Sequence, residues 1–158
     1  MSPLDVQCNA DGDKAPTASS DAKHQEAWVN LNAFTATLTV ANDNWNSEAA
    51  DFSLYGVWTV RDALEQQDMT LEVAIQAAAI WFVYVAQKIW TFCRQEKSFE
   101  GKLAKPGPEF ASREWRGFEK DRWTSWEVQL KNIVRRPELD GRTTGLVNEA
   151  LAAMRAVE

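Results

Sequence analysis

The chain has 158 residues, 45% of them apolar, with eight tryptophans and a net charge of −6. That length suits one domain with a sizeable core, and the apolar content excludes a globally disordered chain. The acidic balance argues against a nucleic-acid partner, which would call for a dense basic surface.

Charge is unevenly spread. Residues 1–87 carry three basic against twelve acidic side chains, a net of −9, whereas residues 88–136 carry twelve against seven, a net of +5. An acidic half can dock on a basic half, within one chain or between two, so a homodimer is one expected partner arrangement. Cys8 lies in a polar segment and Cys93 near the end of an apolar one. Two thiols in such different settings fit a reducing compartment, and a cytoplasmic location is expected. Residues 1–20 show neither the basic nor the apolar region of a signal peptide. No stretch of about 20 residues is free of charge and amide, so no membrane span is expected.

In chain order, residues 1–20 read as a disordered tail, and residues 21–158 as a single helical domain. A first helix is expected from about Asp21 to Ala41, capped by Ser19, Ser20 or Asp21. Its apolar stripe would be Trp28, Leu31, Phe34 and Leu38, and Asn42-Asp43-Asn44 would end it. A second helix spans about Asp51 to Gln67, with Leu54, Val57, Trp58 and Leu64 inward and Arg61 pairing with Glu65 along its surface. The third, about 70–96 and capped by Thr70, has Gln76 as its one strongly polar side chain between Val73 and Ala86. A helix apolar almost all round is a buried one. Residues 98–112 carry two prolines and two glycines and read as a loop. A fourth helix follows from about Phe118 to Arg136, burying Trp123, Trp126, Leu130 and Ile133 before Pro137 stops it. The fifth starts near Thr143 or Thr144 and buries Val147, Ala150, Leu151 and Met154. No segment alternates like a strand. The expected fold is all-α, a compact bundle of about five helices around a central apolar one.

Little equipment for acid–base or metal chemistry is present. His24 is the one histidine, at a helix start, and reads as solvent-exposed. No zinc-ligand spacing, phosphate loop, dinucleotide fingerprint or nucleophile elbow occurs, so neither metal nor cofactor is expected. Aromatic density beside a few polar groups is what distinguishes the chain. In Trp58-x-x-Arg61-Asp62 the ring reads as core with solvated charges, or the charges sit at the rim of a Trp-lined pocket. Tyr84 reads as a satisfied core phenol or as a donor facing a cavity. Arg122-Trp123-x-x-Trp126 reads as core with a flanking cation–π contact, or as a ligand shelf.

Four strings occur in order: Trp28-Val-Asn-Leu-Asn-Ala-Phe-x-Ala-x-Leu-Thr39, Trp58-Thr-Val-Arg61-Asp62-Ala-Leu-Glu65, Ala77-Ala-Ala-Ile-Trp81-Phe-Val-Tyr84 and Arg122-Trp123-x-x-Trp126. Together, over about Trp28 to Met154, they resemble a fungal (ascomycete) family of uncharacterised all-helical proteins known only as a domain of unknown function. The resemblance implies a fungal source and a helical fold, and supplies no catalytic residues.

Small unassigned fungal proteins often belong to secondary metabolism, and by analogy this composition suits a cofactor-free cyclase or isomerase. Such a pericyclase-like step needs an apolar cavity that holds its natural-product intermediate near the reactive geometry, with a donor or two. Trp58, Trp81, Trp123 and Trp126 would wall that cavity, between the second, third and fourth helices. Arg61, Asp62 and Tyr84 would be its polar, catalytic groups, and an apolar small molecule its partner. The alternative is a non-catalytic interaction or ligand-binding module that self-associates. An enclosed apolar pocket of roughly 300 Å³ or more separates the two.

Overall fold

A computed structural model describes residues 15–45 and 51–158. The disordered-tail expectation therefore lies mostly outside the described residues. Among them are five α-helices: α1 (Ala22–Trp45), α2 (Ser53–Leu64), α3 (Glu72–Arg94), α4 (Lys120–Ile133) and α5 (Gly141–Val157). A 3-10 turn, Pro108–Phe110, lies in the long loop before α4. No strand occurs among the described residues; Ser98 and Gly117 form an isolated antiparallel bridge.

Helix α3 is the axis. It packs against α1, α2, α4 and α5, and Ala77, Ala78 and Ala79 are all fully buried, so their small side chains let neighbouring helices approach closely. Gln76, the amide in its apolar stretch, donates from Nε2 to Thr143 Oγ1 of α5 at 2.9 Å. By length and composition α3 could cross a membrane. Here its apolar surface is covered by four helices instead.

The caps follow local chemistry. Asp21 Oδ1 accepts from the His24 N–H at 2.8 Å at the start of α1, and Asp140 Oδ1 accepts from the Arg142 N–H at 2.7 Å at the start of α5, each satisfying an orphan donor of the first turn. Thr70 does not cap α3. The cap residue is Leu71, and the Thr70 hydroxyl instead donates back to the Ala63 carbonyl at 2.8 Å. At the other end of α3, the Lys97 N–H bonds to Phe92 O and the Glu96 N–H to Cys93 O, with Glu96 at φ 53°. This is a Schellman closure built on a residue other than glycine.

Four expectations about facing and pairing are corrected. Helix α1 buries Val29, Asn32, Ala36 and Thr39, while Phe34 is 62% exposed and Leu31 38%; the small and polar face turns inward because it meets the crowded middle of α3. Tyr84 is 53% exposed, since the four neighbours of α3 leave its position uncovered. Glu65 does not pair with Arg61. It is fully buried and pairs with Arg122, while Arg61 reaches Asp62. His24 is half-buried rather than fully solvent-exposed.

Cys93 is buried in the core against α4's approach. Burial, together with the Glu119 charge and against the pull of Arg122, pushes its thiol up to about 12. The thiolate is the reactive form, so the Cys93 peptide should stay unlabelled by a maleimide at pH 8 in the folded protein and label fully in denaturant. Mass mapping that finds native-state labelling as fast as in denaturant would contradict this packing.

Candidate functional site

The site begins with one buried ion pair. Arg122 projects from the first turn of α4, and Glu65 sits at the C-cap of α2; both side chains are fully buried. Arg122 Nε donates to Glu65 Oε1 at 2.7 Å and Nη2 to Oε2 at 3.1 Å. Nη1 donates to the carbonyls of Ala104 (2.8 Å) and Gly117 (3.0 Å), and Nη2 also to that of Lys105 (3.3 Å). A guanidinium has five N–H donors, and these five bonds use them all. The carboxylate is equally complete. Oε1 also accepts from Trp126 Nε1 at 2.7 Å, and Oε2 from the Gly107 N–H at 2.7 Å.

This ion pair fixes the shape of the loop before α4. The loop leaves and returns through a neck where the Phe99 N–H bonds to Arg116 O and the Phe118 N–H to Lys97 O, each at 2.8 Å. Between those points it folds back over the end of α2. The Glu109 N–H bonds to the Glu65 carbonyl at 3.0 Å, and Trp58 Nε1 donates to the Leu103 carbonyl at 2.6 Å. Two glycines make the close approach feasible. A Cβ on Gly107 would lie 2.5 Å from the Glu65 carbonyl oxygen, and one on Gly117 2.2 Å from that of Lys97.

A cleft of about 830 Å³ opens between the solvent side of α2 and this loop. Helix α2 contributes Arg61, Asp62 and, just beyond its end, Gln66. From the loop come Lys102, Lys105, Arg113, Glu114 and Arg116, with Pro106 to Pro108 as one wall. Five cationic side chains thus face two carboxylates, on a chain whose net charge is −6. Arg116 is held by donating from Nη1 to the Gly101 carbonyl at 3.0 Å. Arg113 lies 3.3 Å from Asp121 and 5.9 Å from the centre of the buried Trp115 ring. Trp115 is fixed in turn by its Nε1 donating to Asp121 Oδ2 at 3.1 Å. Among the described residues, the ammonium groups of Lys102 and Lys105 have no ion-pair partner.

The residues expected to form an aromatic pocket are scattered. Arg61 and Asp62 line the basic cleft. Tyr84 lies away from them on α3, beside a smaller recess of about 430 Å³ with Val40, Lys88 and Thr91. Trp81, Trp123 and Trp126 are 1%, 1% and 0% exposed. A ring lining a ligand-sized cavity would keep surface open to a water-sized probe, and these keep almost none. Phe82 instead packs edge-on to Trp123 and Trp126, with ring centres 5.8 Å apart in both pairs. Their indole N–H groups are also engaged, Trp81 with Asn32 Oδ1 at 2.9 Å and Trp123 with Glu158 Oε1 at 2.8 Å. These three rings therefore lie in the packed core, with Phe82, Trp90 and Phe118 against Trp123 and Trp126, and Trp58 serves to anchor the loop.

Sequence reasoning did not single out Lys102, Lys105, Arg113 or Arg116. The net of +5 over residues 88–136 was the signal that pointed to them, though their convergence depends on the loop folding back. No curated protein and no solved structure is significantly similar to the chain. The sequence profile of one family matches residues 5–130, a stretch that takes in α1 to α3, the ion pair and the whole loop. By that match the chain belongs to the family described as "Protein of unknown function (DUF3632)".

Proposed function

We propose that the protein is a non-catalytic ligand-binding module whose cleft takes a small molecule bearing two or more phosphate or carboxylate groups. The observation that carries this reading is the gathering of Arg61, Lys102, Lys105, Arg113 and Arg116 around one recess of an acidic chain. Its volume falls within the roughly 300–1,000 Å³ typical of small-molecule sites. Guanidinium groups bind oxyanions through paired N–H donors, and ammonium groups act as point charges. Because the loop is fixed through the Glu65–Arg122 pair, little ordering would be needed on binding, which favours affinity. Cyclisation of an apolar intermediate draws less support, since Trp81, Trp123 and Trp126 are buried in the core.

Calorimetric titration with inorganic pyrophosphate and with citrate tests the proposal. Binding is expected, and it should weaken between about 20 mM and about 200 mM salt, as exposed charges are screened. The double charge reversal Lys102→Glu/Lys105→Glu should lower affinity by about tenfold or more, equivalent to about 1.4 kcal/mol. Lys23→Glu, on the remote and exposed start of α1, should leave it unchanged. Absence of binding up to about 10 mM of either anion, or equal weakening by Lys23→Glu, would overturn the reading; a site with a Kd far above 1 mM carries under about 4 kcal/mol.

A further inference from the structure

The two walls of the basic cleft differ in chemistry. The loop wall carries Lys102, Lys105, Arg113 and Arg116, with Glu114 among them. The α2 wall adds two oxygen acceptors, Asp62 and Gln66, which lie four residues apart and border the same recess. Neither acceptor is fully used within the chain. Arg61 Nε donates to Asp62 Oδ1 at 3.4 Å, a long contact, and no donor among the described residues reaches Oδ2. The Asp62 side chain keeps 61% of its surface open. Gln66 Nε2 donates to the Arg61 carbonyl at 3.4 Å, so its own carbonyl oxygen is the atom left to a ligand.

A carboxylate on the wall of an anion-binding cleft repels the ligand unless the ligand brings a hydrogen to it. An ammonium group would bring one, together with a positive charge that the five cations of the cleft disfavour. A hydroxyl brings the hydrogen without charge, and its bond to a carboxylate is charge-assisted. The Gln66 carbonyl oxygen accepts from the same kind of donor. We infer that the ligand of this cleft is polyhydroxylated, a sugar or sugar alcohol carrying the anionic groups, with Asp62 and Gln66 accepting from its hydroxyls while the loop cations hold its anionic ends. This rests on the anion-binding reading of the cleft and adds the class of the carrier. It also gives Asp62 a role in specificity: the side chain that weakens binding of a bare anion strengthens binding of a hydroxylated one.

Calorimetric titration with two bisphosphates tests this. Mannitol bisphosphate and hexanediol bisphosphate each carry a phosphate at both ends of a six-carbon chain, and only the first has hydroxyls between them. Mannitol bisphosphate should bind at least about tenfold tighter, as expected from a hydrogen bond to a charged acceptor. In Asp62→Ala that preference should fall to about threefold or less. Hexanediol bisphosphate and inorganic pyrophosphate should meanwhile bind more tightly to Asp62→Ala, because a negative charge has left the cleft. Helicity should not change, since the side chain is largely exposed. Equal affinity of the wild type for the two bisphosphates, a mannitol preference that survives Asp62→Ala, or a loss in that variant shared by all three ligands would overturn the inference, while wild-type binding of pyrophosphate would still uphold the anion-binding reading. Failure of all three to bind the wild type up to about 10 mM would overturn both.

Discussion

Replacing Glu65 by alanine should destabilise the protein by about 3–5 kcal/mol, the cost of leaving one member of a buried ion pair without its partner. Four groups lose their acceptor together: Nε and Nη2 of Arg122, the Trp126 indole and the Gly107 N–H. For a domain of this size that loss lowers the melting temperature by about 6–20 °C, at about 2–4 °C per kcal/mol. The effect should not be purely global. The Gly107 contact and the bonds from Arg122 to Ala104 and Lys105 hold the loop. Amide exchange across residues 99–116 should therefore accelerate more than in α3 and α5. A second variant, Glu65→Leu/Arg122→Met, removes both charges and should recover part of the stability, because an apolar pair needs no buried counter-charge. Equal exchange in loop and core, or a double variant as unstable as Glu65→Ala, would contradict the role assigned to the pair.

Trp81→Ala should also cost about 3–5 kcal/mol, as expected for a buried tryptophan that leaves a cavity. The ring is 1% exposed and packs against Gly56, where an added Cβ would lie 2.9 Å from Trp81 Cε3. That contact makes the prediction specific. Gly56→Ala alone should destabilise, since the methyl meets the ring. In the Trp81→Ala background the same methyl partly fills the void, so the two changes should be less harmful together than their sum. Anion binding in the cleft should survive Trp81→Ala once the variant is folded. A variant of near wild-type stability that had lost ligand binding would instead restore the aromatic pocket. Thermal denaturation with a calorimetric titration reads both quantities.

The helices were legible because their apolar spacing was unambiguous. Gln76 alone interrupts the stretch from Val73 to Ala86, and a helix of that kind has to be wrapped. The wrapping of α3 by four neighbours follows from it. The face of α1 was misread for a physical reason. Periodicity shows that Trp28, Leu31, Phe34 and Leu38 share a stripe, but not that the stripe faces the core; here a small, polar face packs on α3, Trp28 and Leu38 are half-buried, and Leu31 and Phe34 are exposed. The Glu65–Arg122 pair was hidden by distance along the chain. Nothing local distinguishes Glu65 from a surface glutamate four residues after Arg61, and its partner lies 57 residues further on. The loop was recognisable from its prolines and glycines. Its return onto α2 depends on Gly107 and Gly117, whose missing side chains let backbones meet. Of the expected site, Arg61 and Asp62 were placed at the rim of a Trp-lined pocket, whereas the cleft they border is lined mainly by charged residues and prolines and by none of the expected tryptophans. The tryptophan walls were inferred from bulk, and close packing of the rings removed the void they were expected to leave.

On the proposed function, ligands enter the basic cleft and not the aromatic core. Amide and indole resonances followed during a pyrophosphate titration test it most directly. The N–H signals of Gly101, Lys102, Lys105 and Gly107 and the Trp115 indole should shift together along one saturating curve, while the Trp81 and Trp126 indoles stay in place. Shifts spread over remote cations such as Lys23 and Lys131 with the loop unmoved, or movement centred on the Trp81 and Trp126 indoles, would contradict it.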